Sequence, residues 1–272
     1  MELALSIQHG QDDQLIFAQQ LGADSVVVAV DAWEAETLKA ARNRVERSGL
    51  KLAGLEAPPA MAPVLLGKPG GDQQLAGFCQ GLRNAGEAGI GLVSCDWRAP
   101  VAAQPQPVGR GKALVAPVPA PAATPAWEAL EKFLAQAGPV AQAAGVRLAC
   151  RAGAGFLRQS RRLLGLVPAL DLDLAELAGS GSGAEELISA AGAKLAMVHS
   201  SNLRQQQQAF LDEGEISLPK AMRALVRGGF SGPLRAALPP GMVEDTAWGH
   251  KGRAFDLGYL RAILQVIERT GQ

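Results

Sequence analysis

Aromatic residues are scarce. Phe, Trp and Tyr make up 4% of the 272 residues, so any core must be built from alanine, leucine and valine. Cysteine is scarce too. Cys79, Cys95 and Cys150 are odd in number, far apart, and form no CxxC pair, which argues against a disulfide framework or a structural zinc site. A reducing, cytoplasmic setting is the simplest expectation. No basic segment followed by a long apolar stretch opens the sequence, and no apolar run reaches the ~18 residues of a membrane-spanning helix. Neither sign of charge is in excess, with 26 Lys+Arg against 26 Asp+Glu. That balance gives no electrostatic reason to expect nucleic acid or an anionic membrane as partner. Known fingerprints are also missing. Gly70-Gly71 has no Lys-Ser/Thr after it, so it is not a P-loop, and no GxSxG, HExxH or dinucleotide motif occurs.

What is present is a rhythm. Short apolar runs predict strands at 3–7, 25–30, 51–56, 90–96, 146–150, 169–174, 194–199 and 233–238. Amphipathic stretches between them predict helices at 14–21, 35–48, 72–88, 126–144, 159–166, 184–191, 218–227 and 253–269, with a break at Gly138-Pro139 in the fourth. Parallel strands joined by right-handed crossovers follow from that alternation. Eight such units, in a chain close to the roughly 250 residues typical of the fold, predict a (β/α)₈ barrel. An open doubly wound sheet is the alternative. The expected organisation is one barrel domain over 1–272, interrupted by a Pro/Ala-rich loop at 98–125 on the face where barrels build their sites. A loop of that length is either functional or a disordered linker. Gln205 to Gln208 reads as a short solvated loop.

Several side chains stand out against this frame. Glu56 and Asp96 close the third and fourth strands and would face the barrel mouth. Asp171 and Asp173 alternate with leucines, which puts both carboxylates on one face of the sixth strand. Buried there, they need a partner, and Arg151 on the neighbouring strand is the candidate; a metal site is the other reading. His199, at the end of the seventh strand, is either a ligand or a hydrogen-bonded core histidine. Cys95 and Cys150 have no nameable base and read as inert buried thiols. Trp97 is a candidate pocket wall.

Several segments, in order along the chain, resemble the mannonate dehydratase family of xylose isomerase-like barrels. They are Val64-Leu65-Leu66-Gly67-Lys68-Pro69-Gly70-Gly71-Asp72, Leu82 to Ile90, Gly111-Lys112-Ala113-Leu114, His199-Ser200-Ser201-Asn202, Phe210 to Gly214, and Gly252 to Leu260. The resemblance implies a metal-dependent dehydration of mannonate to 2-keto-3-deoxygluconate. A divalent Mn²⁺ or Mg²⁺, held by His, Cys and Asp at the strand ends, spreads the charge that develops beside the substrate carboxylate. An acid and a base complete the elimination.

The sequence departs from that pattern at the site. Where the family has His-Pro-Asp-Asp after the fifth strand, this chain has Arg151-Ala152-Gly153-Ala154. The family's Cys on the sixth strand is matched by Asp173, the Arg of its His-Phe-Arg-Asn motif by Ser201, and its Pro-Asp-His after the eighth strand by Ala236-Ala237-Leu238. The strand-end reading and the resemblance together leave Glu56, Asp96, Arg151 and Asn202 as substrate-binding residues, His199 and Asp173 as residual metal ligands, and the catalytic residues unassigned. No cofactor is expected; if one binds, it is Mn²⁺ or Mg²⁺. The expected function is a relative with lost or altered catalysis that binds a sugar acid or related polyol. The alternative is an active lyase or sugar isomerase/epimerase with a rebuilt site. The expected partner is a small sugar acid or polyol, without nucleic acid or membrane, and self-association is left open.

Overall fold

The computed structural model describes residues 1–57, 64, 68–98, 104–117, 126–237 and 239–270. Its strands are β1 (Glu2–Gln8), β2 (Ser25–Ala29), β3 (Lys51–Glu56), β4 (Leu92–Trp97), β5 (Arg147–Ala152), β6 (Ala169–Asp173), β7 (Leu195–Ser200), the short β8 (Asn202–Arg204) and β9 (Gln207–Ala209), and β10 (Pro233–Ala236). The helices are α1 (Asp12–Gln20), α2 (Ala35–Arg47), α3 (Gly71–Glu87), α4 (Trp127–Ala143), α5 (Ala154–Leu157), α6 (Ser160–Leu166), α7 (Leu174–Ser180), α8 (Ala184–Ala191), α9 (Leu218–Arg227) and α10 (His250–Thr270). Eight strands close into a barrel in the order β1-β10-β7-β6-β5-β4-β3-β2, every pair parallel. The barrel expected from the sequence is the one observed, and the doubly wound sheet is excluded.

Alternation along the strands explains both the core and the site. Leu55, Val93, Cys150, Leu170, Leu172, Val198 and Leu234 belong to one buried apolar core. Their sequence neighbours Glu56, Ser94, Arg151, Asp171, Asp173, His199 and Arg235 have the opposite parity and therefore face the barrel axis. The helices supply the other half of the core. In α2, Leu38, Ala41 and Val45 are buried while the charged residues stay outside.

Four local expectations are corrected. α4 runs unbroken through Pro139, which is exposed, so the carbonyl it leaves unbonded can be hydrated. Gln205 to Gln208 form not a free loop but the turn and second strand of the β8–β9 hairpin. Trp97 is no pocket wall: it is buried against Phe133 with ring centroids 4.9 Å apart. The short helices α5 and α7 were not expected. The eighth barrel strand ends at Ala236, and Leu238 lies outside the described residues. So do 99–103 and 118–125 of the Pro/Ala-rich segment and residues 65–67 of the first resembling stretch. The described part of that segment is folded down. Gln106 bridges Val115, Leu114 bridges Gly241, and Pro117 bridges Gln207 on β9. Arg110 also donates to Asp212 at 2.7 Å.

Candidate functional site

The strand ends surround a cavity of ≈ 470 Å³ lined by Ser6, Glu56, Arg98, Arg151, Asp173, Glu176, His199, Arg235 and Arg253, among others. Ala116 and Pro117 of the folded-down segment, and Ala237 after β10, form part of its wall. Its position at the C-terminal ends of the strands is where barrel folds place their sites.

Most of its charges are organised in two networks. The deeper one centres on His199, which is 1% exposed. Register sets it directly beside Arg235 on β10 and Asp173 on β6. The ring Nε2 donates to Oδ2 of Asp171 at 2.9 Å, and Nδ1 accepts from Nη2 of Arg235 at 2.5 Å. Arg235 can only donate, so this contact fixes the imidazole as the neutral Nε2–H tautomer. The other guanidinium nitrogen of Arg235 donates to Glu56 and to Oγ of Ser6. Asp171 also accepts from Oγ of Ser94 at 2.5 Å. Burial pushes the imidazole down to about 4, with the fields of Arg151 and Arg235 adding to it against the pull of Asp171. Burial alone would raise the Asp171 carboxyl, but His199, Arg151 and Arg235 hold it well below the usual carboxylate range. Glu56 is likewise lowered, with Arg235 overcoming burial.

The second network lies at the mouth. Asp173 pairs with Arg151, with Nη1 of Arg98 at 3.2 Å, and with Oγ of Ser201. It also accepts the amide of Ala175 at 3.0 Å, capping α7. Burial opposes its ionisation, but the two guanidiniums hold it far below the ordinary range. The pairing expected for Arg151 is thus formed with Asp173. Asp96 is bound to Arg98 at 2.6 Å and is not a lining residue, so it steers Arg98 rather than facing the cavity.

Two cavity charges stand apart. Glu176 accepts only the amide of Ala154, at 2.8 Å, and has no ion-pair partner among the described residues. Burial and then the charge of Asp173 raise its carboxyl. Arg253, at the start of α10, donates through Nε to the carbonyl of Trp248 at 2.8 Å and stacks over that indole.

Asn202 reaches the cavity wall, but its amide is committed to backbone. It donates to the carbonyls of Leu211 and Ile216 at 3.1 Å and accepts from the amides of Leu203 and Ile216 at 3.0 Å. A Cβ at Gly214 would lie 2.0 Å from this amide, so the loop closes around it only with glycine there. Cys95 and Cys150 are buried; burial pushes the Cys150 thiol up to about 12, as an inert thiol requires.

The divalent ion implied by the resemblance finds a poor fit. Both His199 nitrogens are engaged, and two guanidiniums occupy Asp173. Among the described residues no three His, Cys, Asp or Glu side chains converge to hold an ion. Of the four cavity arginines, sequence reasoning named Arg151 and missed Arg98, Arg235 and Arg253. Arg235 is a lone cation in a buried four-residue strand, and that signal pointed inward; Arg98 and Arg253 carried no comparable mark.

The fold is a closed parallel (β/α)₈ barrel with a polar cavity at its mouth, and its structural neighbours are xylose isomerase-like barrels. Mannonate dehydratase from Streptococcus suis serotype 2 superposes with a TM-score of 0.83 at 19% identity, covering 100% of this chain and 95% of that one. A xylose isomerase domain protein from Planctomyces limnophilus gives 0.73 at 14% identity, covering 98% and 99%. D-Psicose 3-epimerase with D-tagatose from Clostridium cellulolyticum H10 gives 0.67 at 14% identity, covering 97% and 99%. At these identities the likeness is one of fold. No protein-family model matches the chain.

Proposed function

We propose that the chain binds a sugar acid or related polyol at the barrel mouth without a divalent cation, as a relative of the mannonate dehydratase-like barrels whose catalysis is lost or altered. The observation that carries this reading is the seat of Arg235. Its guanidinium lies between His199 and Glu56, where it brings a fixed positive charge to the imidazole and takes Nδ1; with Nε2 held by Asp171, no ring nitrogen is free for a metal. The neighbours that handle mannonate, psicose and tagatose, by name, support the ligand class.

In such a site the paired carboxylates and guanidiniums orient hydroxyl groups. Asp173 and Glu56 accept, while Arg98 and Arg151 donate. Each group is already held by its partner, so little side-chain entropy is lost on binding. Titration calorimetry with D-mannonate and D-mannitol tests the reading. Affinity is expected to be the same in EDTA and in excess Mn²⁺, with no 2-keto-3-deoxygluconate formed in either. Mn²⁺-dependent turnover that disappears in His199→Ala overturns it.

A second reading, a dehydratase or isomerase with a rebuilt site, is favoured by Glu176. It is the one lining carboxylate without an ion pair among the described residues, and its raised pKa suits proton transfer. Deuterium exchange from solvent into a bound sugar, lost in Glu176→Gln, would select this reading over the first.

A further inference from the structure

The cavity holds four guanidiniums, and they differ in one respect. Arg98, Arg151 and Arg235 each lie within ion-pair distance of a carboxylate. Arg253 has no such carboxylate among the described residues, although only 6% of it is exposed and it lines the same cavity. Its Nη1 is buried with no hydrogen-bond partner. Asp256, one turn further along α10, does not fill the gap. Its carboxyl also has a buried oxygen without a partner, and burial pushes it up to about 8, so it is largely neutral at neutral pH. A buried cation without a counter-charge is costly, and folds keep one where something else supplies the charge.

Arg253 is also fixed in place. Its Nε is tied to the Trp248 carbonyl and its plane lies over the Trp248 ring, whose own Nε1 donates to the carbonyl of Ser6 on β1 at 3.1 Å. A Cβ at the preceding Gly252 would meet Pro239 at 2.3 Å, so the first turn of α10 is packed hard against the segment after β10. The guanidinium is therefore preorganised, and an anion reaching it need not order a long side chain.

We propose that Arg253 anchors an anion subsite on the β1–β10 side of the cavity, one that takes the oxyanion group of the bound ligand, a carboxylate or a phosphoryl group. This rests on the reading of the cavity as a sugar-acid or polyol site and gives that ligand a direction. The charged end lies at Arg253 and the hydroxylated chain runs toward Asp173 and Glu176. A charge-assisted hydrogen bond in such a setting changes affinity by about tenfold or more.

The test compares D-mannonate, D-mannitol, mannitol 1-phosphate and inorganic phosphate by calorimetry on wild type, Arg253→Met and Arg253→Lys. Wild type should bind an anionic ligand at least tenfold more tightly than mannitol. Arg253→Met should erase that preference while leaving mannitol affinity unchanged, and Arg253→Lys should restore part of it. Ligand-free Arg253→Met loses the Trp248 carbonyl bond and ring contact but also an unpaired buried charge, so the fold should be kept; a drop in melting temperature that is accompanied by loss of mannitol affinity marks a structural arginine and overturns the subsite. Preference for mannonate assigns a carboxylate, and preference for the phosphate ester a phosphoryl group. Equal binding of mannonate and mannitol, indifferent to Arg253→Met, overturns the subsite and leaves the polyol reading standing. Arg253-dependent binding of inorganic phosphate alone, without any of the three sugar ligands, keeps the subsite and overturns that reading. Binding of none of the four overturns both.

Discussion

Arg235 on β10 and His199 on β7 are register partners, and the Nη2 of one donates to the Nδ1 of the other at 2.5 Å. The contact works only while the imidazole is neutral, which burial enforces, with the positive charge of Arg151 and Arg235 adding to it. The imidazole is expected to remain the Nε2–H tautomer from pH 5 to pH 8, and ¹⁵N-edited NMR would show it. With three histidines in the chain, His199→Asn assigns the signal. A His199 resonance that titrates near 6.5 would contradict the geometry.

Asp256 should make stability fall as pH rises. Burial raises its folded pKa to about 8 against the pull of Arg253, whereas an unfolded aspartate ionises near ~3.9. Between those values the folded state keeps a proton that the unfolded state has released, so the penalty is absent below the window and grows through it. Asp256→Asn removes the penalty. Its stability advantage over wild type in urea melts should increase between pH 5 and pH 8 by on the order of 4 kcal/mol, at ~1.4 kcal/mol per unit. A pH-independent difference would show that the carboxyl is ionised in the fold.

Asp173 should matter more to stability than Arg151. Asp173→Ala leaves Arg98 and Arg151 without their shared carboxylate and uncaps α7, a loss of roughly 3–5 kcal/mol for a broken buried pair. Arg151→Met leaves Asp173 with Arg98, Ser201 and the Ala175 amide, and should cost about 1–3 kcal/mol. Denaturant melts that reverse this order would mean that Arg151, not Asp173, is the hub.

Gly214→Ala should open the loop that Asn202 holds. The added methyl would collide with the Asn202 amide, so the amides of Leu203 and Ile216 lose their acceptor. Hydrogen exchange at those two amides should accelerate at least tenfold while the amides of β5 and β6 stay protected. Unchanged protection would show that the loop is held by other contacts.

The fold was legible because eight apolar runs carry the period of buried strands, and the eighth helix closes them. Asp171 and Asp173 were legible for the same reason: two acids alternating with three leucines must turn inward and must find hydrogen-bonding partners. The sequence named Arg151, which pairs with Asp173, but gave no sign of Ser94, His199 or Arg98 as the other partners. Arg98 reaches Asp173 from two residues past Asp96, and Arg253 enters the cavity from the last helix; neither lies on a barrel strand, so no alternation marks it. α7 was lost because its first residue continues the apolar run of β6, and only the cap supplied by Asp173 shows where strand becomes helix. The hairpin of β8 and β9 was hidden because its polar glutamines carry no pattern of burial.

The strict alternation on the barrel strands has a further consequence. Deleting a single residue before Asp171 would carry Leu170 and Leu172 onto the axis and turn the aspartates toward the helices. The pattern that fills the core is also the pattern that aims the charges, so no slip in β6 can spoil one and spare the other. Change at this mouth is therefore confined to exchanging one side chain for another at a fixed position, as where Arg151 stands at the start of a segment whose resembling relatives read His-Pro-Asp-Asp.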